Sequence, residues 1–94
     1  MHSLCAVIPV YDHEHAVGRV VDELLAHRLP CVLVDDGSSV SCAAVLDRLA
    51  RQPGVALVRL PRNAGKGAAV QAGFAEARRL GHSHALQVDA DGQH

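Results

Sequence analysis

Four short apolar runs, Leu4 to Val10, Cys31 to Val34, Val55 to Leu60 and Ala85 to Val88, return along the chain without the polar alternation of a half-solvated strand. Strands apolar on both faces suit a parallel sheet flanked by helices on both sides. The intervening stretches carry the helical period. From about Glu14 to Leu29, residues Val17, Val20, Val21, Leu24 and Leu25 form one stripe at three- and four-residue steps, with Asp12 placed to cap it. From Ser41 to about Arg51 the inward set is Cys42, Val45, Leu46 and Leu49, and Pro53-Gly54 stops the helix. From about Gly67 to Leu80 it is Val70, Phe74, Ala77 and Leu80, with Gly73 allowing close approach to the sheet and Gly81 ending the helix. The alternation predicts an α/β fold: a doubly wound, mainly parallel sheet with helices on both faces, right-handed crossovers and strand order 3-2-1-4.

A chain of 94 residues holds a single domain or part of a larger one. With Phe 1, Tyr 1 and Trp 0, its core must be layered from Val, Leu and Ala. A net charge of -1 without a Lys/Arg cluster leaves no footprint for nucleic acid or an anionic membrane surface. No apolar run reaches the roughly 18 residues that cross a bilayer and the N-terminus lacks a signal-peptide pattern, so a cytoplasmic chain is expected. Cys5, Cys31 and Cys42 are an odd count without C-x-x-C spacing and are read as packed, reduced thiols. The 7 histidines show no zinc-finger spacing and are read as surface groups, His94 standing out because it follows an acidic motif.

In a doubly wound sheet, ligands sit beyond the carboxyl ends of the strands, where strand order reverses. The chemistry-bearing residues collect there. Ile8-Pro9-Val10-Tyr11-Asp12-His13-Glu14 follows the first strand, Asp35-Asp36-Gly37-Ser38-Ser39 the second, and Asp89-Ala90-Asp91-Gly92-Gln93-His94 the fourth. In extended backbone the carboxylates of Asp89 and Asp91 point to one side, offering two hard oxygen donors suited to Mg2+ or Mn2+. Asp35-Asp36-Gly37-Ser38 reads as a turn with Gly37 at positive φ and a local hydrogen bond from Ser38. The turn leaves two adjacent carboxylates unexplained, and one of them can accept from a ribose hydroxyl or a base N–H. Asn63-Ala64-Gly65-Lys66-Gly67 puts a lysine and backbone N–H groups at a helix start, an anion site. It is not a P-loop, since Gly67 follows Lys66 and Leu60 stands where the first glycine belongs. A dinucleotide fingerprint fits poorly, with Val70 at the third glycine position, yet a dinucleotide-binding or regulatory module of similar topology is the alternative reading.

Four segments, Ile8-Pro9-Val10-Tyr11, Val34-Asp35-Asp36-Gly37-Ser38-Ser39, Asn63-Ala64-Gly65-Lys66-Gly67 and Asp89-Ala90-Asp91-Gly92-Gln93-His94, together resemble the family 2 glycosyltransferases of the GT-A fold, including the dolichyl-phosphate mannosyltransferase-like members. The resemblance spans nearly the whole chain. It implies transfer of sugar from a UDP- or GDP-linked donor with inversion at the anomeric carbon. It further implies that Pro9, Tyr11, Glu14, Asp35, Asp36, Ser38, Lys66, Asp89 and Asp91 contact the donor, and that Asp89, Asp91 and Gln93 hold the metal. Asp12 stands where the family usually has Asn. Family members continue past the metal motif, so residues 1–94 are expected to be the nucleotide-sugar-binding half of a longer domain. The catalytic base and the acceptor site, for a lipid phosphate or a saccharide, then lie elsewhere, and the longer protein works at the cytoplasmic face of a membrane. A fourth strand with a bare outer edge is expected to drive self-association.

Overall fold

In the computed structural model, which describes residues 3–91, strands and helices alternate without exception. The order is β1 (Leu4–Val10), α1 (Val17–Ala26), β2 (Cys31–Asp35), α2 (Val40–Leu49), β3 (Val55–Arg59), α3 (Lys66–Arg79) and β4 (His84–Gln87). All strand pairs are parallel and the sheet order is β3-β2-β1-β4, as expected. The β1–β2 register ends on Val10 opposite Asp35, and the β1–β4 register ends earlier, on Val7 opposite Gln87.

The strand alternation splits the core in two. Ala6, Ile8, Val10, Cys31 and Leu33 pack under α1 and α2 with Val17, Val21, Cys42 and Leu46. Cys5, Val7, Val32 and Val34 face α3 through Ala69 and Ala77. Both layers consist of small and branched aliphatic side chains, which give little area each but interdigitate closely. The three cysteines are free and buried.

Three expectations are corrected. Helix α1 starts at Val17, and its N-cap, Ala16, has no side-chain cap bond. Asp12 adopts φ 57, which turns its carboxylate away from α1 and toward the start of α2, where it accepts the Ser39 N–H at 2.7 Å. Helix α3 buries Ala69, Gly73 and Ala77, while Phe74 is 40% and Leu80 45% exposed. The close approach decides that rotation. A Cβ on Gly73 would lie 2.3 Å from Val7 Cγ1 and 2.9 Å from Val34 Cγ2, so the helix meets the sheet along its small residues and the large ones turn outward. Finally, β4 is not apolar and covered on both faces: only Ala85 is partly buried, packing with the α3 side of the core, while Leu86 on the other face lies outside the α1/α2 core. The burial expected of it falls to Val88 and Ala90, just past its end. Among the described residues no helix is long and apolar enough to cross a membrane.

Candidate functional site

Because β1 and β2 end together and the chain after β4 runs on beside them, the turns after all three strands meet at one rim. The Val88 N–H donates to Val7 O at 2.9 Å, carrying the pairing one step past β4 before residues 90 and 91 turn. Between these turns and the start of α3 lies a cavity of about 290 Å³. Pro9, Val10, Tyr11 and His13 line it from β1 and the following turn, Asp36 from the turn after β2, and Asn63, Gly65 and Lys66 from the approach to α3. Asp89, Ala90 and Asp91 complete it. The cavity lies at the switch point between β1 and β4 where a doubly wound sheet binds ligands.

The wall carrying Lys66 is built on Asp36. This carboxylate, 3% exposed, accepts the Ala64 N–H at 2.7 Å, the Gly65 N–H at 3.1 Å and Asn63 Nδ2 at 3.1 Å. Charge-assisted bonds of this kind are about twice as strong as neutral ones, so the loop before α3 is pinned to the end of β2. Gly37, at φ 74, makes room for it: a Cβ there would sit 2.3 Å from Asn63 N. Lys66 follows as the first residue of α3, and its Nζ lies 2.9 Å from Asp89 Oδ1. Gln87 Nε2 reaches the same oxygen at 3.3 Å.

Asp35 has a different environment. It is 1% exposed and accepts Arg59 Nε at 2.8 Å and the Ser38 N–H at 2.8 Å. Arg59 continues to Asp47 at 3.1 Å, and its hydrogen bond to Asp35 raises the guanidinium's already high pKa. The carboxylate thus closes the carboxyl ends of β2 and β3 and does not line the cavity. Ser38 ties β1 to β2, its Oγ donating to Val10 O at 3.3 Å and accepting the Asp12 N–H at 3.0 Å. Glu14 accepts from Ser41 Oγ at 3.2 Å, beside α2.

Of the residues expected at the donor site, Pro9, Tyr11, Asp36, Lys66, Asp89 and Asp91 come together around the cavity. Glu14, Asp35 and Ser38 lie outside its lining. Gln93 and His94 fall outside the described residues. Asp89 and Asp91 share the rim although they are not in extended strand, because β4 ends at Gln87 and the backbone turns while Ala90 packs into the α1/α2 core. Two carboxylates on one cavity wall are the hard oxygen donors that Mg2+ or Mn2+ takes, so the donor chemistry fits such an ion. His13, Asn63 and Gly65 line the cavity without having been assigned a role. Asn63 and Gly65 stood in the loop singled out as an anion site, but their bonds to Asp36 cross 27 and 29 residues and left no local trace.

Comparison with known proteins bears on what this rim belongs to. An undecaprenyl-phosphate 4-deoxy-4-formamido-L-arabinose transferase of Enterobacter sp. is 37% identical over 82 residues, covering 79% of this chain and 25% of the relative. A dodecaprenyl-phosphate galacturonate synthase of Rhizobium johnstonii is 37% identical over 84 residues, covering 81% and 25%. The chain thus spans about a quarter of the length of these curated relatives. Among solved structures, the mannosyltransferase PcManGT of Pyrobaculum calidifontis, in complex with GDP-Man and Mn2+, matches with a TM-score of 0.77 and 19% identity over 97% of this chain and 28% of that one. S. aureus TarS 1-349 matches with a TM-score of 0.79 and 19% identity, over 95% and 27%. These two likenesses show a shared fold. The family model described as "Glycosyl transferase family 2" matches residues 5–94. With a parallel 3-2-1-4 sheet whose strand-end motifs meet at one cavity, and with that match along nearly its whole length, the chain belongs to glycosyl transferase family 2.

Proposed function

We propose that this chain forms the donor-binding part of an inverting glycosyltransferase that uses a UDP- or GDP-linked sugar and Mg2+ or Mn2+. The observation that carries the reading is the convergence of Asp89, Asp91 and Lys66 on one cavity at the switch point of the sheet. Asp89 and Asp91 would hold the ion. When bound, such an ion supplies charge neutralisation as the nucleoside diphosphate departs. Lys66 supplies a second positive charge for the diphosphate from the N-terminus of α3, where backbone N–H groups also favour an anion. Tyr11, 50% exposed, lines the cavity and would stack its ring on the nucleoside. Asp36 spends most of its accepting capacity on the loop before α3 and acts on the donor through Lys66. None of these residues is assigned as the base.

The relatives named above use undecaprenyl or dodecaprenyl phosphate, and a dolichyl-phosphate beta-glucosyltransferase of Trichomonas vaginalis is 33% identical over 98 residues. A polyprenyl phosphate is therefore the acceptor class we assign to the protein, which would place its work at a membrane surface. Pairing of copies along the outer edge of β4, which no strand covers among the described residues, belongs to the same proposal.

Isothermal titration with UDP and GDP, with and without Mn2+, tests the donor site. We expect binding of one nucleotide that depends on Mn2+ and is lost on chelation, and at least tenfold weaker binding in Asp91→Ala. Binding that is absent, or equal in Asp91→Ala and the parent, overturns the proposal.

A further inference from the structure

Lys66 is the one lysine or arginine lining the cavity among the described residues, and its ammonium lies on Asp89, one of the two carboxylates proposed to hold the metal. An ammonium at 2.9 Å and a divalent ion cannot both take Asp89 Oδ1 without strong mutual repulsion. We propose that Lys66 is a built-in competitor for the metal position. With no nucleotide bound it neutralises Asp89 and opposes entry of the ion, and the donor's diphosphate draws the ammonium away and leaves that carboxylate to the metal. The inference deepens the donor-site reading and rests on it.

The geometry suits such an exchange. The base of the lysine is fixed, because Asp36 holds the N–H groups of Ala64 and Gly65 immediately before it at 2.7 and 3.1 Å. Its far end is free to move: the side chain is 60% exposed on a four-carbon stem, and Asp89 is 31% exposed. An exposed pair of this kind is weak enough to be broken by a better partner, and a diphosphate brings at least two negative charges where Asp89 brings one. Gln87, donating to the same Asp89 oxygen at 3.3 Å, is a neutral group and does not repel the ion. The consequence is order: the metal is taken up well only together with the nucleotide.

A lysine that merely contacts phosphate and a lysine that also competes with the metal differ in the sign of one measurable effect. Mn2+ binding to the protein without nucleotide, followed by the electron paramagnetic resonance signal of free Mn2+, should be about 3- to 10-fold tighter in Lys66→Gln than in the parent. Lys66→Arg, which keeps the charge, should match the parent. Adding UDP or GDP should tighten Mn2+ binding to the parent by a larger factor than to Lys66→Gln, because binding linkage is reciprocal and the competitor is gone. Equal or weaker binding of Mn2+ alone in Lys66→Gln overturns the inference even if the parent binds metal and nucleotide as proposed. If Asp89→Asn and Asp91→Ala leave Mn2+ binding of the parent unchanged, the metal-site reading fails and takes this inference with it. Since Lys66 is exposed, the comparison is not confounded by loss of the fold, and a thermal melt of each variant verifies that.

Discussion

Asp36→Asn isolates what the loop before α3 owes to a single carboxylate. Asp36 accepts two backbone N–H groups, from Ala64 at 2.7 Å and Gly65 at 3.1 Å, and the Asn63 amide at 3.1 Å. An asparagine has the same shape but one accepting oxygen, so one of the backbone donors then faces an NH2 group. A hydrogen bond to a charged group contributes about 1.5–3 kcal/mol, and a donor left unsatisfied costs about 1–3 kcal/mol. Ala64 is exposed, so water can reach its N–H and the unsatisfied-donor cost shrinks; the lost charge-assisted bonding then leaves roughly 2 kcal/mol, within the range of about 1.5–3 kcal/mol. That corresponds to about 30-fold in an equilibrium constant. Urea unfolding should show the loss, hydrogen exchange should accelerate at the Ala64 and Gly65 amides, and nucleotide binding should weaken because Lys66 loses its fixed base. Asn63→Ala is the internal control. It removes the Asn63 bonds to the Asp36 carboxylate and carbonyl but keeps both backbone bonds, and because Asn63 is exposed, water can replace its amide, so it should cost only about 1 kcal/mol. If Asn63→Ala weakens stability and nucleotide binding as much as Asp36→Asn, or if Asp36→Asn changes stability by less than about 0.5 kcal/mol, Asp36 is not the brace described here.

Gly73→Ala places a methyl group 2.3 Å from Val7 Cγ1 and should destabilise the fold by a net 1–2 kcal/mol or so, overpacking of about 1–3 kcal/mol being partly offset by helix propensity. In chemical denaturation the double variant with Val7→Ala should lose less than the sum of the single losses, and strict additivity would contradict the packing account. Burial first, and the neighbouring Cys5 second, push the Cys31 thiol from an ordinary 9.0 up to about 11. A raised folded-state pKa means that the stabilisation is complete below pH 9 and is lost as pH climbs from 9 toward 11, by at most roughly 2–3 kcal/mol. The urea midpoint of the parent should therefore fall over that window more steeply than that of Cys31→Ala, and parallel curves would refute the assignment.

Order along the chain is what local chemistry could settle. Apolar runs without alternation, separated by helical stripes, specified a buried parallel sheet and its covering helices. The gathering of Asp36, Lys66, Asp89 and Asp91 after strands or at a helix start then pointed to a candidate site at one edge of that sheet. The four segments were legible because each is contiguous and each residue type announces its chemistry by itself. What the tertiary structure alone decided are the partners of the charged groups and the rotation of helices about their axes. Nothing local distinguishes Asp35 from Asp36, yet Arg59, brought alongside by the β2–β3 pairing, takes the first, and a loop 27 residues onward takes the second. Asp12 looked like the cap of the helix that follows it and serves the one after, because its φ of 57 aims it there. Phe74 looked inward by periodicity, but the free volume beside Val7 and Val34 admits only a glycine, and steric fit at that contact outweighed the hydrophobicity of the ring. Pairings across 24 to 29 residues and the shape of the space between layers depend on where other elements lie, so only the assembled sheet could fix them.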